Sequence, residues 1–236
     1  QLCETLKTIY RSAHNNYSIV IVDDASPRLI ETSADAHIIR IEPSEKKWSG
    51  PVVPFNIGIA HALTLEPDII IIQNAECAHI GDVLMYANDN VTDDNYISFG
   101  CWSLNKGLSL DEVERSIAAD DPFRTDGGTT GWYNHPRWNP RPFHFCNAMT
   151  ADTMRQLNGF DERFKDGLGY DDNDLVRRLQ VMMRGIIITD ETEPFVVHQW
   201  HSRAYQTQEK YQHNTDVYNH IPKNTCRAQH LITEDF

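Results

Sequence analysis

The chain lacks any long apolar run. Its longest aliphatic stretch, Ile69 to Ile72, falls far short of the roughly 18 consecutive apolar residues a membrane span requires. Basic residues are also scarce: 21 Lys and Arg stand against 34 Asp and Glu, a formal charge of −13. That balance argues against nucleic acid as a partner, because phosphate neutralisation needs clustered cations. A nucleotide ligand stays open, since a divalent cation can supply the positive charge the protein lacks. The five cysteines (Cys3, Cys77, Cys101, Cys146, Cys226) are scattered and form no CxxC pair. Buried or free thiols in a reducing compartment are therefore expected, not a disulfide framework or a zinc ribbon. Gln1 to Lys7 lacks the basic-then-apolar pattern of a secretory leader. These absences lead us to expect a cytoplasmic protein, or one peripheral to a membrane, with no integral membrane segment.

What is present is an alternation of strands and helices. Helical spacing over Leu2 to Ser12 is followed by β-branched runs at Ser18 to Val22 and His37 to Ile41. A helix is expected over Phe55 to Leu65, a strand over Ile69 to Ile72, a helix over Asp82 to Asn90 and a strand over Asn95 to Phe99. Apolar strands alternating with helices predict an α/β fold, a mostly parallel sheet flanked by helices, with ligands at the carboxyl ends of the strands. From about Leu104 to Pro142 the pattern breaks down. A short acidic helix over Leu110 to Ala119 leads there into a Gly- and Pro-rich stretch carrying Trp132, Tyr133, His135 and Trp138, which fits a substrate lid better than a linker. A strand over Phe143 to Cys146, a helix over Ala151 to Leu157, a helix from near Asp171, strands over Gly185 to Thr189 and Phe195 to His198, and a polar helical tail complete the reading.

Four segments carry chemistry. Val22-Asp23-Asp24-Ala25-Ser26 ends a strand in two carboxylates, which can accept hydrogen bonds from a base or ribose, or simply cap the next helix. Gln73-Asn74-Ala75-Glu76 ends another. Alternate residues on an extended backbone point the same way, so Asn74 and Glu76 can reach one cation, although an ordinary strand-to-loop transition reads the same. Asp171, Asp172 and Asp174 open a helix after Gly167 and Gly169. Acids favour helix starts and Asp174 can pair with Arg178, yet a carboxylate at such a mouth can also serve as general base. Finally, His198 ends a strand with Trp200 and His201 close behind, where imidazole can serve a metal.

Taken together, these motifs resemble a family 2 glycosyltransferase of the GT-A fold, over most of the chain. Val22 to Ser26 matches that family's nucleotide-contacting strand end, and Phe55-Asn56-Ile57-Gly58-Ile59 is similar to its R-N-x-G-I helix start beneath the donor. Gln73 to Glu76 takes the place of the Asp-x-Asp metal motif. Asn158-Gly159-Phe160-Asp161-Glu162-Arg163-Phe164, then Gly169 to Leu175 and Arg178, resembles G-G-F-D-E-x-F followed by G-x-E-D-x-D-L-x-x-R. Three departures stand out: the chain starts in the helix that normally follows the opening strand, Asn74 replaces the first metal-motif acid, and Asp171 replaces Glu.

The resemblance implies one domain over 1–236: a nucleotide-sugar-binding half over 1–100, an acceptor and catalytic half over 101–201, and a tail over 202–236. It implies inverting transfer from a nucleoside-diphosphate sugar, a UDP-sugar as first guess, to a carbohydrate or glycan hydroxyl. Asp172 is then the general base, with Asp171 beside it. Glu76, His198 and Asn74 hold Mn²⁺ or Mg²⁺, and Asp23, Asp24, Ser26, Asn56, Asn74 and Ala75 contact the donor. Trp132, Tyr133, His135, Trp138, Asp174 and His201 fall on the acceptor side, the aromatics serving either as stacking surfaces or as loop packing. Glu76, Asp172 and His198 are expected around one cavity. The competing readings are an inactive glycan- or nucleotide-binding relative, a nucleotidyltransferase and a metallohydrolase.

Overall fold

A computed structural model describes residues 1–31, 35–119, 131–202 and 207–236. Part of the irregular stretch (120–130) and part of the tail (203–206) lie outside them.

In chain order the elements are α1 (Leu2–Ile9), β1 (Val20–Asp24), β2 (His37–Ile41), α2 (Val52–Leu63), β3 (Ile69–Gln73), β4 (Cys77–Ile80), α3 (Val83–Asn90), β5 (Asn95–Ser98) and β6 (Cys101–Ser103). A 3₁₀ turn (Leu110–Glu112) leads into α4 (Val113–Ala119), then β7 (Gly131–Asn134), β8 (Cys146–Thr150) and α5 (Ala151–Leu157). After a second 3₁₀ turn (Glu162–Phe164) come α6 (Asp171–Val181), β9 (Gly185–Ile188), β10 (Phe195–His198) and α7 (Gln208–His220). The class is mixed α/β. The strands do not make one mostly parallel sheet: β1 and β2 form a parallel pair, and two four-stranded sheets run β4-β10-β6-β7 and β3-β8-β5-β9. Both larger sheets mix directions, with β10 antiparallel to β4 but parallel to β6, and β5 antiparallel to β8 but parallel to β9. Among the described residues no helix is long and apolar enough to cross a membrane.

The chain divides into two compact units. The first comprises 1–15, 71–149 and 185–203; the second 16–70, 150–184 and 204–236. In the first, Trp102, Leu104, Val113, Trp132, Phe195 and Val197 form a buried cluster. Asp82 caps α3 by accepting the Met85 N–H at 3.0 Å, so the acid that opens this helix in the sequence is its N-cap. Helix α1 is tied to β4 where the His79 N–H donates to Thr8 Oγ at 2.9 Å.

The His79 side chain makes a testable contribution to stability. It is 5 % exposed and bonds Gln73 Oε1 at 2.7 Å through Nε2. Burial pushes its pKa down to about 4. The unfolded chain, with an ordinary value near 6.5, binds more protons between those limits. Stability is therefore present above about pH 6.5 and is lost as pH falls toward 4, by about 3 kcal/mol in all. Urea midpoints measured from pH 7 to 4.5 should decline more steeply for the natural chain than for His79→Gln. Equal slopes would refute this assignment.

In the second unit, α2 packs over the β1–β2 pair, with Gly58 close against Val22. Asn158 ends α5 in the left-handed conformation (φ 58°). A Cβ added at Gly167 would lie 2.0 Å from Asn214 Oδ1 of α7. This glycine thus allows the chain to approach itself. Glu162 is buried and gathers the backbone N–H groups of Leu231 and Ile232 (2.7 and 2.6 Å), the Thr233 hydroxyl (2.5 Å) and the Asn56 amide (3.1 Å). Burial alone would raise its carboxyl, but these donors outweigh it and hold the group below the ordinary range.

Candidate functional site

The site is built by two chain segments of the first unit. Strand β3 ends at Gln73, and a turn over Asn74 to Glu76 leads into β4, closed by the Cys77 N–H donating to Asn74 O at 3.0 Å. Strand β10 pairs antiparallel with β4 so that His198 lies opposite Cys77, the residue after Glu76. This register brings the Glu76 carboxylate to the imidazoles. Its Oε1 lies 3.3 Å from His198 Nε2 and 3.7 Å from His201 Nε2. One ligand atom from each of the three residues lies within 4.8 Å of the others.

The surroundings prepare these atoms. His201 Nδ1 sits 3.0 Å from Ser202 O, a carbonyl that can only accept, so Nδ1 donates there and Nε2 is the ring nitrogen that faces Glu76. The His198 ring is 4 % exposed, 5.2 Å from the Tyr133 ring and 5.7 Å from Phe145, which meets it edge-on. The Asn74 amide donates to Glu76 Oε1 at 3.3 Å, and Gln199 Nε2 donates to Glu76 O at 3.0 Å. Burial by itself raises the Glu76 carboxyl, but the hydrogen bond and charge of His198 and the charge of His201 outweigh it, leaving the group below its usual value. An ionised carboxylate and two imidazoles form a donor set that fits a divalent cation. Two nitrogens with one oxygen suit Mn²⁺ or Zn²⁺ better than Mg²⁺, which prefers oxygen ligands.

The remaining expected residues fall in varied places. Asn74 acts through its amide on Glu76, and Ala75 is exposed on the turn. His201, expected on the acceptor side, stands with Glu76 and His198. Trp132 is 1 % exposed, with Trp102 and Phe195 meeting it edge-on at 5.2 and 5.4 Å, so the aromatic role left open between stacking and packing is packing here. His135 is buried as well. Its Nε2 bonds Glu191 at 2.6 Å and its Nδ1 accepts the Arg137 and Trp138 N–H groups, which makes it the organiser of a turn. Trp138 is partly buried against the same core, with the Arg137 guanidinium 4.2 Å over its ring.

In the second unit, Asp23 accepts from Arg40 at 2.6 Å and from the Ser26 N–H at 3.0 Å, while Asp24 accepts from Lys46 at 2.6 Å and Trp48 Nε1 at 3.0 Å. Asn56 is fully buried. It donates to Phe160 O and Glu162 and accepts the Phe160 N–H at 2.8 Å, so it locks the fold where a donor contact was expected. Asp171 and Asp172 open α6, the first buried and the second half-buried, directly after Tyr170 in the left-handed conformation (φ 65°). Asp174 is buried, with one oxygen on Arg177 at 2.5 Å and the other on Arg178 at 2.8 Å.

Sequence reasoning missed the binding of 231–233 by Glu162 and the ring cluster of Tyr170 with Tyr211 and Tyr218 (5.3 and 5.2 Å). Nothing in the polar tail signals either partner. Compared with models of known protein families and with curated proteins, the chain matches none.

Proposed function

We propose that the chain is a metal-dependent, inverting glycosyltransferase of the GT-A type that uses a nucleoside-diphosphate sugar. The observation that carries this reading is the meeting of the Glu76 carboxylate with two imidazoles beside strand ends: Glu76 and His198 are ligands the motif order implies, and His201 joins them. Glu76, His198 and His201 would hold the cation. A divalent ion bound there supplies positive charge for a departing diphosphate. Asn74 and Gln199 keep the Glu76 turn in place, and the proton of His201 stays on Nδ1, away from the ligand atom. Asp172 is the proposed base: its carboxylate takes the acceptor hydroxyl proton as that oxygen bonds to the anomeric carbon and the bond to the diphosphate breaks.

A second reading draws on the donor set itself. Two histidines and a glutamate also suit a hydrolytic Zn²⁺. A thermal-shift screen of UDP-, GDP-, dTDP- and CMP-sugars, with Mn²⁺, with Zn²⁺ and with neither, tests both. A donor at about 100 times its Kd stabilises the native state by about 2.7 kcal/mol. The transferase reading expects one donor to stabilise only together with Mn²⁺. Stabilisation by Zn²⁺ alone, with every donor inert, would replace that reading with the hydrolytic one.

A further inference from the structure

The first unit carries a cavity of about 440 Å³ that the metal centre does not use. It is walled by Glu4 of α1 and the flanking Gln1 and Arg11, by Asp111 of the 3₁₀ turn before α4, and by Gln199 and Trp200. Trp102 and Trp132 are sealed in the core, whereas Trp200 is 38 % exposed. Its backbone is fixed by the Gln1 amide, which donates to Trp200 O at 3.0 Å. Gln199 is fixed in turn, donating through Nε2 to Thr5 Oγ at 3.1 Å and to Glu76 O at 3.0 Å. One wall of the cavity is thus bonded to the peptide that carries the metal-ligating carboxylate, and His201 directly follows Trp200.

We propose that this cavity is a subsite for a neutral saccharide, with a sugar ring stacked on Trp200. A pyranose offers one C–H face and a rim of hydroxyls. The indole face matches the first, and the amide, carboxylate and guanidinium groups of Gln1, Asp111 and Arg11 match the second. The volume falls within the range of about 300–1,000 Å³ typical of small-molecule sites. The charges favour an uncharged ligand over a nucleotide. Lys7 is paired with Glu4 at 2.6 Å, Lys106 lies 4.9 Å over the Trp200 ring, and Arg11 is offset by Asp111 among the lining residues. Among the lining residues the two cations, Lys7 and Arg11, equal the two anions, Glu4 and Asp111, which leaves no surplus for a phosphate. Lys106 covers the ring through an exposed cation–π contact, worth about 0.5–1 kcal/mol, which a stacking sugar can displace. Its role as the acceptor end of a transfer rests on the function proposed above; saccharide binding itself does not.

The test is an array of neutral and acidic oligosaccharides probed with the intact chain, without metal or nucleotide, and with uridine monophosphate as competitor. Retention on neutral glycans is expected, weakened at least about tenfold by Trp200→Ala and largely restored by Trp200→Phe. Arg11→Ala and Asp111→Asn should each weaken retention too, and they carry the test if Trp200→Ala does not fold. No retained glycan, retention indifferent to all these changes, or full competition by the nucleotide would overturn the proposal. Glycan retention with an inert donor screen leaves the subsite standing and removes the transferase, and the reverse pattern does the opposite.

Discussion

Glu76→Gln should weaken Mn²⁺ binding by about 100-fold or more, with little change in melting temperature. Glu76 is the only anion of the cluster, and the other two ligands are imidazoles that bind a metal in their neutral form. Glutamine keeps the side-chain length and one oxygen but removes the charge that draws a divalent cation into a half-buried site. Removing an outer partner of a metal ligand costs about 10–100-fold, so loss of the charged ligand itself belongs at or beyond the upper end. The fold should tolerate the change, because the turn is held by main-chain bonds: the Cys77 N–H to Asn74 O, the Asn74 N–H to Phe145 O at 3.0 Å, and the Gln199 N–H to Glu76 O at 3.0 Å. Titration calorimetry with Mn²⁺ on both proteins, alongside melting curves, reads the two quantities separately. Unchanged Mn²⁺ affinity in the variant would remove Glu76 from the ligand set, and the proposed function with it.

What the sequence could reveal depended on how local each interaction is. Strand β2 was legible to the residue, and α3 was legible because Asp82 caps it from the adjacent position. Strands β4, β6 and β7 were not, since they are three or four residues long and place His79, Ser103 and Asn134 in buried positions. Their burial comes from tertiary packing, which no local period records. The run Phe143 to Cys146 reads as a strand, yet the paired strand is β8, which only begins at Cys146 and runs to Thr150. The same distinction governs the site. His198 ends an apolar strand and Glu76 stands in the turn that follows another, so their place at a sheet rim could be read directly. Asn56, His135 and Asp174 look equally suited to ligands in sequence, but their partners lie elsewhere: Phe160 and Glu162 for Asn56, Glu191 for His135, and for Asp174 a guanidinium whose Nη1 reaches back to Leu157. A polar side chain spent on the fold and one held for a substrate share a composition. Only the partner tells them apart.

The first turn of α6 puts that distinction to its strongest test, because two of its carboxylates should fail in opposite ways. Asp174→Ala should destabilise the protein by about 3–5 kcal/mol, since it leaves Arg178 as a buried charge without its counter-ion. Arg178 is fully buried and cannot turn to water: its Nη1 already donates to Leu157 O at 2.9 Å and Gly159 O at 3.0 Å. For a chain of this length the loss corresponds to a fall in melting temperature on the order of 10 °C. Asp172→Asn preserves shape and removes basicity. The charge it removes is worth about 0.3–1 kcal/mol at a helix start, well under the loss expected for Asp174→Ala. If Asp172 is the base, its loss should lower sugar transfer by about 10²- to 10⁴-fold while donor and Mn²⁺ affinity stay as they were. Melting curves and transfer rates measured on both variants give four numbers. Transfer that survives Asp172→Asn would end the base assignment, and a melting temperature untouched by Asp174→Ala would show that the buried Arg178 has found another anion.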